Sequence, residues 1–114
     1  MSNQKELKLQ QDCYKWFHNQ HPNHRGKIWR VENERKRNKY EQMIAKSTGL
    51  VSGVADLNML YSGKFYAIEL KVGNNNQSKS QIVWQNIVES EGGHYVVIRS
   101  LDEFKNFISE VING

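Results

Sequence analysis

Residues 53–72 read GVADLNMLYSGKFYAIELKV. Two β-rich runs, Val54 to Tyr61 and Lys64 to Val72, flank the turn dipeptide Ser62-Gly63, so the stretch reads as a β-hairpin. If Ser62 and Gly63 form the loop, Tyr61 faces Lys64 and, counting back along both strands, Asp56 faces Glu69. A four-residue loop keeps that pairing, whereas a three- or five-residue loop shifts it by one. Serine is not the ideal first residue of a tight primed turn, so the other registers stay open.

Side chains directly opposite each other on one face have Cβ atoms about 4.5 to 5.5 Å apart, and like charges placed so are destabilising. Lys71, two residues beyond Glu69, projects from the same face and offsets part of the repulsion. Two carboxylates and one ammonium still leave a negative pocket, which a divalent cation would fill. Oxygen ligands of this kind suit Mg²⁺ or Mn²⁺. The competing reading is a structural ion pair on an exposed sheet face.

Outward from the hairpin, Leu7, Leu9, Cys13, Trp16 and Phe17 recur at helical spacing from Lys5 to Asn19, and His21-Pro22-Asn23 ends the pattern. On that helix Glu6, Gln10, Cys13 and Phe17 share a narrow stripe, which points Glu6 either into the sheet-facing side or, as a residue near the chain start, into solvent. Lys27 to Glu32 reads as a strand, and a helical turn is expected near Tyr40 to Ala45. Ser78 to Glu91 reads as a helix stopped by Gly92-Gly93, with Gln81 beside Trp84 and Val88. Ser78 and Gln81 also have capping-box spacing, which would occupy Gln81 at the backbone. His94 to Arg99 is a further strand, and Ser100 to Glu103 has the same spacing at the start of a last helix. The expected architecture is a mixed α/β sheet flanked by helices, in the order α-β-β-β-α-β-α.

The chain has 114 residues, 38% hydrophobic and 25% charged, which fits a single domain over residues 1–114. A mean hydropathy of -0.76 with no long uncharged apolar run excludes a membrane span, and the opening MSNQKELKLQ lacks an apolar leader, so a cytoplasmic protein is expected. The single cysteine, Cys13, excludes an internal disulfide, and Pro22 spoils any shared helical face of His18, His21 and His24 as a zinc site. The net charge of +4 is concentrated between Arg25 and Lys46, where eight basic residues meet three acidic ones. Arg35, Lys36, Arg37 and Lys39 lie in that run as candidate phosphate contacts. The other reading of the run is a solvated charged loop.

The residues Gly53-Val54-Ala55-Asp56-Leu57, then Ile68-Glu69-Leu70-Lys71, then Ser78 to Trp84 (SKSQIVW), resemble the signature of the VRR-NUC family within the PD-(D/E)xK nuclease superfamily. The resemblance runs over nearly the whole chain, with Ala55 where a proline is usual. It implies a restriction-endonuclease-like fold and Mg²⁺ or Mn²⁺ bound by Asp56, Glu69 and the backbone carbonyl of Leu70. It further implies that Lys71 acts on water, that Glu6 and Gln81 complete the site, and that Glu6 acts on the metal directly or through water. Whether Asn33 and Glu34 belong to the site is left open. The function so implied is a homodimeric endonuclease that hydrolyses phosphodiester bonds in branched DNA such as four-way junctions. A non-catalytic DNA-binding module and a nuclease for flap or ordinary duplex DNA are the alternatives.

Overall fold

The structure, a computed structural model, describes residues 2–32 and 36–114. Asn33, Glu34 and Arg35 lie outside the described residues. The elements follow the order α1 (Ser2–Gln20), β1 (Ile28–Arg30), α2 (Lys39–Ser47), β2 (Leu57–Tyr61), β3 (Lys64–Leu70), α3 (Lys79–Ser90), β4 (His94–Ile98) and α4 (Leu101–Asn113), with a short 3₁₀ turn at Pro22–His24. The expected mixed sheet flanked by helices is what forms. The helical turn expected near Tyr40 is a full nine-residue helix, started by a reciprocal cap in which Asn38 accepts from the Glu41 N–H and Glu41 accepts from the Asn38 N–H.

The sheet order is β1-β2-β3-β4, antiparallel across the first two pairs and parallel between β3 and β4. A parallel pair needs a crossover, and α3 supplies it. The hairpin takes the two-residue loop, since Tyr61 pairs with Lys64 and Leu57 with Ile68. Ser62 and Gly63 both have positive φ, 52° and 78°, which is the primed turn whose twist matches the flanking strands. One step beyond the ladder, that register sets Asp56 opposite Glu69.

The two faces of the sheet differ in chemistry. On one, Leu57, Met59, Ile68 and Leu70 meet Leu9, Cys13 and Phe17 of α1 and Phe104 and Ile108 of α4. Full burial of each large side chain there contributes about 1.5 to 3 kcal/mol. Burial, with a smaller contribution from Asp12, pushes the Cys13 thiol up to about 12, so it packs as an inert small hydrophobe. The other face carries two adjacent rows set by register. One is Trp29, Asn58, Ala67 and Tyr95; the next has Asp56, Glu69 and Val97, with the Val31 N–H donating to the Asp56 carbonyl at 3.3 Å. Over β3 and β4, α3 covers this second face with Trp84 and Val88.

Among the described residues, Ser62 is the one non-glycine with positive φ. A left-handed conformation costs an ordinary L-residue roughly 1 to 2 kcal/mol, and asparagine tolerates it better than serine. Ser62→Asn should therefore stabilise the protein by about 0.5 to 1 kcal/mol, read as a Tm several degrees higher in thermal unfolding. An unchanged or lower Tm would count against the primed turn and with it the pairing of Asp56 with Glu69.

Candidate active site

Asp56 sits in the bend just before β2, where its Oδ2 accepts the backbone N–H of Leu70 on β3 at 2.8 Å. The hydrogen bond satisfies a ladder donor that β2 no longer reaches, and it turns this carboxylate toward the backbone of β3. In a strand the N–H and C=O of one residue point to the same neighbour, so the Leu70 carbonyl faces the Asp56 side as well.

Glu69 is 1% exposed, and an ionised carboxylate at that depth must be held by donors or charge. Its Oε2 takes both: the Gln81 Nε2 donates to it at 3.0 Å, and the Lys71 Nζ lies 3.6 Å away. Lys71 and Gln81 are themselves buried. Gln81 makes the capping contact and also reaches Glu69. Its Oε1 accepts the Ser78 N–H at 2.8 Å, closing the capping box of α3, while its Nε2 reaches down to Glu69. One amide can do both because α3 starts over the end of β3.

Gly53 fixes the spacing between the two halves. It adopts φ +83°, and a Cβ there would stand 2.2 Å from the Ser80 carbonyl oxygen and 2.8 Å from the Gln81 nitrogen. The loop bearing Asp56 thus packs backbone to backbone on the first turn of α3, an approach open only to glycine.

Glu6 reaches this end of the sheet from α1, on the opposite face. Its Oε2 accepts from the Asn75 Nδ2 at 3.4 Å, in the loop after β3. Among the described residues no three His, Cys, Asp or Glu side chains gather to hold an ion, so Glu6 makes no three-carboxylate cluster with Asp56 and Glu69. Lys36 and Lys39 are exposed at the start of α2, and Arg37 is half-buried. A cavity of about 620 Å³ between α1 and β1 is lined by Leu7, Tyr14, Ile28 and Leu57 and bordered by Trp29 and Arg30. Ile28 and Leu57 place it on the α1 face, away from the carboxylates.

Sequence reasoning missed Tyr95. From β4 its Oη accepts from the Gln77 Nε2 at 3.1 Å, and the same nitrogen donates to the Gln85 Oε1 at 2.9 Å. Burial pushes the Tyr95 hydroxyl up to about 12; the charge of Glu69 adds to this, the Gln77 hydrogen bond opposes it, and Asp56 and Glu89 add smaller contributions. The hydroxyl is neutral at physiological pH and ties Gln77, the residue before the α3 cap, to the sheet. Its only sequence signal was a polar-tipped aromatic in a strand, which the parallel register alone places near Glu69.

The donor set fits a hard divalent cation. Two carboxylates and a backbone carbonyl are all oxygen, and Mg²⁺ commonly takes one or two carboxylates, with waters and substrate phosphate in its remaining positions. No family model and no curated protein matches the chain. Among solved structures, a VRR_NUC domain protein matches it with a TM-score of 0.77 and 21% identity, covering 95% of this chain and 88% of the other. An identity that low establishes architecture, and the conclusion it carries is that this chain has the fold of a VRR_NUC domain protein.

Proposed function

We propose that the chain is a nuclease of the VRR-NUC family, a metal-dependent endonuclease that hydrolyses phosphodiester bonds in DNA. The observation that carries the reading is the buried Glu69 carboxylate, gripped by Gln81 and Lys71 beside an Asp56 that is turned onto the next strand. A purely DNA-binding surface gains nothing from carboxylates facing phosphates. Asp56, Glu69 and the Leu70 carbonyl would hold Mg²⁺ or Mn²⁺, with Glu6 acting through water. Bound there, the cation supplies Lewis acidity toward a phosphate oxygen and the attacking water.

The chain's own residues do the rest. Gln81 fixes the Glu69 rotamer from a helix cap that is itself rigid. Lys71, held beside Glu69, orients water and offsets negative charge developing on the phosphate. Lys36, Arg37 and Lys39, with Arg35, supply phosphate contacts near the cut. Branched DNA such as a four-way junction is the proposed substrate and a homodimer the proposed assembly. The apolar face of α2 supports the dimer: Tyr40, Met43 and Ile44 are exposed, and none of the helix is buried. A nine-residue helix is marginal in water without packing.

Replacing Asp56 or Glu69 by Ala should abolish cleavage of labelled junction, flap, single-stranded and duplex DNA in Mg²⁺ or Mn²⁺, while metal-free binding stays equal or tightens. Undiminished cleavage by a folded Asp56→Ala protein would remove the assignment. Lys71→Ala should lower the single-turnover rate by at least roughly a hundredfold and leave a calorimetric Mn²⁺ titration near normal. Full recovery of rate at high Mn²⁺ would make Lys71 a structural residue. Combined Ala substitution of Lys36, Arg37 and Lys39 should flatten the log–log salt dependence of affinity by about 0.9 for each phosphate no longer neutralised. An unchanged slope would show these residues to be solvated surface.

A further inference from the structure

The sheet face that bears Asp56 and Glu69 is only half covered. Trp84 and Val88 of α3 pack over β3 and β4, but on β1 and β2 Trp29 is 41% exposed and Leu60 is 52% exposed. Between the covered and open halves lies Asn58, paired with Trp29 on one side and with Ala67 on the other. It is 3% exposed, and its Oδ1 is buried with no hydrogen-bond partner among the described residues.

An asparagine inside a strand opposes β-propensity, and a buried amide oxygen without a partner is destabilising. A Val or Thr would suit the fold better, and such exceptions call for an explanation outside folding. The neighbours supply one. An indole offers a π-face, and an amide offers a donor and an acceptor in one plane; together these recognise a nucleobase rather than a phosphate. Neither member of the pair is cationic, although Lys27 and Arg30 of the basic run flank Trp29 in sequence. Asn58 lies on the same face as Asp56, which sits two residues earlier in the bend before β2; that spacing, about 6.4 to 6.8 Å, is the length of about two stacked nucleotides at roughly 3.4 Å each.

We propose that Trp29 and Asn58 form a base-binding subsite of the nuclease: the indole stacks on an unpaired base of the cleaved strand, one or two nucleotides from the cut, and the Asn58 amide hydrogen-bonds to that base's edge. The inference rests on the nuclease reading and deepens it. A base inside continuous duplex is already stacked and paired and must be extruded to enter, whereas a base at a branch point or in a single strand enters freely. The subsite therefore gives shape selectivity to a domain whose phosphate contacts cannot supply it.

The test measures metal-free binding in a Glu69→Gln background, by fluorescence anisotropy, to a flap with unpaired nucleotides and to blunt duplex of the same sequence. Trp29→Leu should weaken flap binding by roughly tenfold and duplex binding by less than about twofold, while Trp29→Phe keeps most of the flap affinity. A 2-aminopurine placed in the unpaired segment should be quenched by the parent protein and not by Trp29→Leu. Asn58→Leu should raise the Tm, because an unsatisfied buried group is removed, and still weaken flap binding. Equal losses on flap and duplex for Trp29→Leu, or unchanged flap binding by a folded Asn58→Leu protein, would overturn the subsite. Cleavage assays on the protein with native Glu69 separate the two ideas: no cleavage of any DNA with the binding difference intact defeats the nuclease reading, and cleavage with no binding difference defeats the subsite.

Discussion

The buried Glu69 carboxylate is the constraint around which the rest of this molecule is arranged. A charge 1% exposed in a sheet is tolerable only where donors and an opposite charge are delivered to it, and each delivery comes from a different element. Lys71 comes from just past the end of β3, two residues on. Gln81 comes from the cap of α3, so the residue that starts the helix also holds the carboxylate. Gly53 lets the loop carrying Asp56 rest directly on that same first turn. Helix start, strand end and loop are thus mutually located, and moving one disturbs all.

The mixed topology makes this possible. Because β4 returns parallel to β3, the crossover helix must begin beyond the end of β3 and run back over the sheet, which brings its first turn to Glu69. The opposite face is free to be fully apolar, and it carries most of the burial through Phe17, Leu57, Ile68 and Phe104. The apolar core and the two carboxylates therefore lie on opposite sides of the sheet. Glu6, on the apolar side, meets the loop after β3 at Asn75.

The side chains beside the carboxylates follow a similar logic. Tyr95 and Gln77 tie the approach to the α3 cap onto β4, and they act as neutral groups: the Tyr95 hydroxyl is held far above physiological pH by burial and by the nearby carboxylates. In the next positions along the row of Tyr95, Ala67 is small and Asn58 is polar, and the Asn58 Oδ1 is buried without a hydrogen-bond partner among the described residues.

Much of this was legible in the sequence because local rules decide it. A two-residue turn fixes hairpin register by counting, so the juxtaposition of Asp56 and Glu69 followed from Ser62 and Gly63. Period and caps placed α1, α3 and α4 to within a few residues, and capping spacing picked out Gln81. What sequence could not supply were relations between elements distant in the chain. The three-residue β1 has no turn joining it to β2, so nothing local put Trp29 beside Asn58. Parallel register depends on a crossover rather than a turn, so Tyr95 could not be placed near Glu69. The double use of Gln81 arises only because α3 packs where it does. The sequence by itself set out the hairpin, α1, α3 and α4, and made the opposition of Asp56 and Glu69 the expected pairing, since turn length, periodicity and caps act over a few residues. Only the tertiary structure decided which donors reach Glu69 and which side chains share its face, because those depend on strand order and helix placement, which are set by burial over the whole chain.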